Sequence, residues 1–134
     1  MWKRIGLLLV LSSILLSACS SGQSGIVLER ERIDAGEVVN GEIVTRQISV
    51  SNEGNVNLVI DAVTTSCGCT KATLEPMTIP PGGSGVLTIE FDSGAHGEEL
   101  TGSLVRQIFI ASNDPQRPEI KIELAATVLA KKYP

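Results

Sequence analysis

Glu119-Ile120-Lys121-Ile122-Glu123-Leu124-Ala125-Ala126-Thr127-Val128 decides the fold class. Ile120, Ile122, Leu124, Ala126 and Val128 alternate with Lys121, Glu123, Ala125 and Thr127. A period of two belongs to a strand with one face buried and the other wet. The alternation recurs upstream: Leu87, Ile89 and Phe91 against Val86, Thr88 and Glu90, and Ile108 and Ile110 against Gln107 and Phe109. Leu58, Ile60 and Ala62 alternate with Val59, Asp61 and Val63, and Val44, Ile48 and Val50 do so around Arg46. No stretch after residue 18 carries a helical period.

Turn chemistry separates these runs. Asn40-Gly41 is a dipeptide favoured in tight hairpins, where both central residues take positive φ. Asn52-Glu53-Gly54-Asn55, Pro80-Pro81-Gly82-Gly83 and Asn113-Asp114-Pro115 are further turn clusters, and Ser93-Gly94-Ala95-His96-Gly97 is a glycine-rich loop. Several short strands at this spacing predict an all-β sandwich of about seven strands, packed as one domain over residues 26–134. A Cys…Trp…Cys pattern is lacking, which excludes an antibody-type domain.

The N-terminus reads as an export signal. Met1-Trp2-Lys3-Arg4 is a short positive start, and the apolar run Ile5–Leu16 is too short to span a bilayer, which takes about 20 residues. Leu16-Ser17-Ala18-Cys19 then resembles the lipobox of bacterial lipoproteins, which implies removal of residues 1–18 and lipidation of Cys19. Three acyl chains, at about 0.8 kcal/mol per buried methylene, make a stable anchor where one is marginal. The polar, glycine-bearing stretch at 20–25 predicts a flexible tether. Ser20 follows the cysteine, with no Asp in that position, and by the usual sorting rule this favours the outer membrane in a two-membrane organism.

Charge and aromatic content exclude whole classes of partner. Lys3 and Arg4 leave with the signal, so the mature chain has nine basic and fifteen acidic residues, a net charge of −6. That disfavours nucleic acid, whose affinity rests on Lys and Arg. Beyond the signal only Phe91, Phe109 and Tyr133 are aromatic, too few for stacking platforms.

Cys67-Gly68-Cys69 is the strongest chemical signal. Residues i and i+2 of a strand share a face about 6.6 Å apart, near the upper limit for a disulfide, so a bridge needs a bend. Closing so small a ring contributes little entropic stability. The pair reads as a labile redox couple, as a soft-metal site for Cu(I) or Zn(II), or as a thiol that pairs with another protein. The plainer reading is a turn-stabilising disulfide, or two half-buried thiols, at a strand end, and an exported compartment favours oxidation. Met77 and His96 are weak additional ligands. His96 reads more simply as a solvated loop residue beside Glu98 and Glu99.

The remaining polar features are bland. Gly82-Gly83-Ser84-Gly85 lacks the spacing of a nucleophile elbow. Glu29-Arg30-Glu31-Arg32 reads as charge that protects an edge-like first strand. No catalytic constellation assembles, so the expectation is a non-enzyme without a cofactor beyond the lipid.

Several motifs together carry a resemblance. Ser51-Asn52-Glu53-Gly54-Asn55, Leu58-Val59-Ile60 and Thr65-Ser66-Cys67-Gly68-Cys69-Thr70 stand in order. They precede Ile79-Pro80-Pro81-Gly82, Thr88-Ile89-Glu90-Phe91-Asp92 and Ala111-Ser112-Asn113-Asp114. From about Ala35 to Val128 the chain resembles the bacterial domain-of-unknown-function 1573 family, which implies an immunoglobulin-like antiparallel sandwich and very little chemistry. Ile33 stands where that family tends to have phenylalanine and Ala125-Ala126 where it has glycine, changes that read as core adjustments. The leading expectation is a membrane-tethered cell-envelope module that binds a protein partner. The alternative is a soft-metal or thiol-redox protein acting through Cys67 and Cys69.

Globomycin treatment, or Cys19→Ala, is expected to leave an unprocessed or unlipidated precursor. Mass spectrometry of the N-terminal peptide checks this, and an unmodified Cys19 thiol in untreated cells contradicts the lipobox.

Overall fold

The computed structural model describes residues 21–133, so the signal segment and Cys19 lie outside the described residues. These residues form nine strands and no helix: β1 (Ile26–Leu28), β2 (Arg32–Val39), β3 (Ile43–Asn52), β4 (Leu58–Thr65), β5 (Thr70–Glu75), β6 (Thr78–Ile79), β7 (Ser84–Asp92), β8 (Gly102–Ser112) and β9 (Glu119–Leu129). The expected sandwich is present. Its strand count exceeds seven because β1 and β6, of three and two residues, are too short to show a period.

One sheet has the order β1-β3-β7-β5 and the other β2-β9-β8-β4-β6. From β1 to β8 each strand lies in the sheet opposite its predecessor, and only β8 and β9 are consecutive neighbours. The turn clusters are therefore corners between sheets. Asn40-Gly41, expected in a hairpin, carries the chain from β2 to β3 across the sandwich. Gly41 has φ +94° and Asn40 does not have positive φ, so the hairpin turn is absent. One pairing departs from the antiparallel expectation: β2 runs parallel to β9.

The core is aliphatic, as the alternation requires. Val50, Leu58, Ile79, Leu87, Ile89, Phe91, Ile108, Ile110 and Ile122 are fully buried between the sheets. Ile33 and Ala126 are buried as well, and Ala125 is half-buried. On β4 the expected series breaks. A register shift between Ile60 and Ala62 marks a bulge, which inserts one residue and swaps the faces beyond it. Val63, not Ala62, then packs against the core, and so does Cys67 beyond the strand end.

Buried polar side chains hold the corners. Asn52, 1% exposed, accepts from the N–H groups of Gly25 (3.1 Å) and Gly54 (2.9 Å) and donates to the carbonyls of Val56 (2.8 Å) and Ile79 (2.9 Å). Gln23 also exchanges bonds with Asn55, and Ser24 Oγ reaches Asn113. Residues 23–25, expected as tether, are thus docked on the domain. Gly54 is obligatory there, since a Cβ would lie 2.2 Å from the Gln23 carbonyl oxygen. The Glu29–Arg32 run is not one edge strand; it carries the chain from β1 to β2, with Arg117 paired to Glu31 and Arg32 to Glu123 at 3.4 Å.

Asp114 anchors the start of β1. Burial opposes its ionisation, but it accepts from the N–H groups of Ile26 (2.9 Å), Gln116 (2.8 Å) and Arg117 (3.2 Å), and these with the Arg117 charge hold its carboxyl below the usual range. The unfolded chain therefore binds that proton more readily than the native one. Its contribution is complete above about pH 4 and is lost as pH falls through the lowered native value. Asp114→Ala is expected to cost about 1–3 kcal/mol in urea unfolding at pH 7, the price of unpaired buried N–H groups. The difference from wild type should shrink at pH 3.

Candidate functional site

The chain must pass from β4 to β5, between sheets, in the four residues Ser66–Cys69. Thr70 N–H donates to the Cys67 carbonyl at 3.1 Å, which closes a turn. Thr65 Oγ1 lies 3.1 Å from that carbonyl and 2.9 Å from the Thr70 carbonyl. Ser66 pairs with Gln107 of β8 through N–H···O (2.9 Å) and Oγ (3.0 Å), while Asp92 N–H of β7 donates to the Cys69 carbonyl at 2.8 Å. The corner is thus tied to both sheets.

This bend draws the Cα atoms of Cys67 and Cys69 to 5.2 Å, and the two form a disulfide. Gly68 supplies no special geometry: its φ is not positive and a Cβ would meet open space. The sulfurs are unequal in access. Cys67 is half-buried, whereas Cys69 is 3% exposed. A cleft of about 80 Å³ passes Cys69, lined by Gly68, Lys71, Glu90 and Asp92, with Ile43 on its wall.

His96 belongs to this site. Its Nε2 lies 3.0 Å from Cys67 Sγ, although the side chain is exposed to solvent. His96 is thus the solvated loop residue that the sequence suggested, and it also touches Cys67. Two anchors aim the β7–β8 loop. Ser93, fully buried, places its Oγ 3.0 Å from the Val39 carbonyl and 2.8 Å from that of Glu42. Asn40, also buried, donates to the carbonyls of Gly97 (2.9 Å) and Leu100 (3.0 Å). His96 sits between them. Met77 does not join the site: its carbonyl accepts from Ile60 N–H at 2.8 Å, five residues up β4 from Thr65.

Arg106 was not foreseen. It lies in the inward series Leu104, Arg106, Ile108, Ile110 of β8, and its Nε donates to Cys69 Sγ at 3.1 Å. It makes no ion pair among the described residues; its other bond is to the Val105 carbonyl at 3.2 Å. A charged residue at a core-facing position was the available signal, since a half-desolvated charge needs a counter-charge or strong hydrogen bonds. Cys69 N–H also donates to Cys67 Sγ at 3.2 Å, and Thr70 Oγ1 is 3.6 Å from Cys69 Sγ. The two sulfurs are surrounded by donors suited to developing negative charge.

The sequence profile of the family described as protein of unknown function (DUF1573) matches residues 26–128. The chain belongs to the DUF1573 family. The match spans all nine strands but for the last residue of β9, and it includes the cysteine corner. A DUF1573 fold of this kind is similar to a crystal structure of a protein of unknown function from Porphyromonas gingivalis W83, with 28% identity and a TM-score of 0.66. The similarity covers 87% of this chain and 51% of that one, so the chain spans about half the length of that protein. It is also similar in fold to the ASH/PapD-like domain 7 of human CEP192 (10% identity, TM-score 0.63, 82% and 89% covered). A third likeness is to the periplasmic chaperone SfaE (12% identity, TM-score 0.54, 82% and 60% covered). These last two establish the β-sandwich alone. No curated protein matches the chain.

After reduction and brief alkylation, Cys67 is expected to be modified before Cys69, because Cys67 is half-buried and Cys69 is 3% exposed. Peptide mass mapping checks the order; equal labelling contradicts it.

Proposed function

We propose that this protein is a lipid-anchored module of the cell envelope that meets protein partners by thiol–disulfide exchange at Cys67 and Cys69. The lipobox at Leu16–Cys19 supports the anchor, through acyl chains on Cys19, and the exported compartment suits a disulfide. The observation that carries the reading is the pair of flanking nitrogens, His96 Nε2 at 3.0 Å from Cys67 Sγ and the donor Arg106 Nε at 3.1 Å from Cys69 Sγ.

Access and charge assign the roles. A thiolate of a partner dithiol attacks Cys67 Sγ, the reachable sulfur. The Cys67–Cys69 bond breaks and its electron pair remains on Cys69 Sγ, where Arg106 Nε–H stabilises the new thiolate. A better-stabilised leaving thiolate departs faster. The partner's second thiol then attacks the partner sulfur of the mixed disulfide and releases Cys67 beside His96. The partner is oxidised by two electrons to a disulfide, its two thiol protons pass to the reduced pair or to solvent, and the reverse run reduces a partner disulfide.

Opening the bridge leaves the fold intact in this reading. On chain entropy, so small a ring contributes about 1.5 kcal/mol, half of what a 15-residue loop gives. The aliphatic core holds the sheets in both states. Ile43, 66% exposed on the cleft wall, offers an apolar contact to a docking chain.

Cys69→Ser leaves Cys67 as a lone thiol that attacks a partner disulfide in the reverse run with no second sulfur to release it, so it is expected to trap dithiothreitol-sensitive mixed disulfides through Cys67 in envelope extracts. Arg106→Ala should slow reduction of the bridge by about tenfold, equivalent to about 1.4 kcal/mol at the transition state. Wild-type reduction rates in both Arg106→Ala and His96→Ala, with no trapped partner, would leave the bridge a passive staple.

A further inference from the structure

We propose that the reduced pair, with His96, forms a three-coordinate Cu(I) site. Cys67 Sγ, Cys69 Sγ and a ring nitrogen of His96 all lie within 4.8 Å of one another. The inference goes beyond thiol exchange and does not depend on it; it requires only that the bridge can be reduced.

Donor type selects the ion. Two thiolates and an imidazole are soft or borderline ligands, and among common metals such a set suits Cu(I) or Zn(II). Charge separates the two. A structural zinc takes four protein ligands, and this corner offers three, because Met77 lies opposite Ile60, five residues along β4 from Thr65; a zinc ion here would need water in its fourth position. With Cu(I), two thiolates leave the centre at −1, which the guanidinium of Arg106, without an ion pair among the described residues, balances. With Zn(II) the centre is neutral and the half-desolvated Arg106 keeps no counter-charge. Binding is balanced as two thiols and one Cu(I) giving one copper dithiolate and two protons.

The geometry needs little movement. Bonds of about 2.3 Å to sulfur and 2.0 Å to nitrogen, at trigonal angles, place Sγ and Nε2 about 3.7 Å apart. The present separation is 3.0 Å, so the exposed imidazole retreats by less than 1 Å. The sulfurs separate by side-chain rotation once the bridge opens, while Ser66 and Cys69 stay fixed to β8 and β7 through their backbone bonds. Arg106 Nε–H and Cys69 N–H supply outer bonds to the thiolates, the usual means of tuning metal-bound sulfur. His96 on the solvent side leaves an entry path.

The test uses the full-length protein in detergent, reduced with dithiothreitol and desalted without oxygen, then titrated with Cu(I) against bicinchoninate. One Cu(I) per chain is expected, with two sulfurs and one nitrogen in the copper X-ray absorption spectrum. Cys67→Ser and Cys69→Ser should each abolish retention. Arg106→Ala should weaken binding by about 10–100-fold, as outer-shell changes do, and His96→Ala by at least as much. His96 is exposed in a loop, so that variant keeps its fold, which circular dichroism verifies. Failure of the reduced wild type to hold copper, equal retention by the Cys67→Ser/Cys69→Ser double variant, or unchanged affinity in His96→Ala overturns the site. Prior chemical reduction keeps this outcome separate from exchange: a protein that traps no partner can still bind Cu(I), and one that binds no copper can still exchange.

Discussion

Consecutive strands must cross from one sheet to the other, and this constraint shapes the whole molecule. Seven of the eight connections run between sheets, and only the link from β8 to β9 stays within one. Both sheets therefore share one aliphatic core from the first strand to the last, and each corner must bring polar backbone close to that core. Buried N–H and C=O groups left unpaired are costly. Asn52, Asn40, Ser93 and Asp114 meet the demand, each buried and each bonded to main-chain groups of a distant segment. No buried side-chain nitrogen or oxygen among the described residues lacks a partner.

The cysteine corner is one such crossing, and its chemistry follows from its place at the mouth of the sandwich. The bulge on β4 turns Val63 inward and leaves Cys67 packed against the core edge. On the neighbouring strand of the same sheet Arg106 continues the apolar series of β8 into the same mouth. Arg46 does the same on β3, where its guanidinium reaches the Ala35 carbonyl at 2.7 Å. Cations at core-facing positions are expensive unless hydrogen-bonded or balanced. Arg46 donates to main-chain carbonyls alone, whereas Arg106 donates to the Val105 carbonyl and to Cys69 Sγ.

Fold likeness to a centrosomal domain and a periplasmic chaperone carries no shared activity, because sandwiches host many unrelated tasks. The chemistry of this chain is local: a thiol pair at a sheet crossing, a histidine delivered by an anchored loop, and an arginine with no ion pair among the described residues. Together they give the proposed redox and metal chemistry its groups, at a corner where Cys69 is buried in the core and Cys67 packs against it.

Alternation in Ile120–Val128 and Leu87–Phe91 made the strands legible, because a buried face imposes its period directly on side-chain polarity. The cysteine spacing likewise announced the pair and the need for a bend. The bulge at Asp61, the parallel pairing of β2 with β9 and the sheet-crossing role of Asn40-Gly41 were not legible, since each depends on which strand becomes a neighbour. The site divides in the same way: Cys67 and Cys69 are adjacent in the chain, but His96 lies 29 residues from Cys67 and Arg106 lies 37 from Cys69. Local periodicity and spacing are properties of the polypeptide alone. The meeting of a loop, a strand and a corner arises only when two sheets close over one core, and that closure alone decided which donors face the sulfurs.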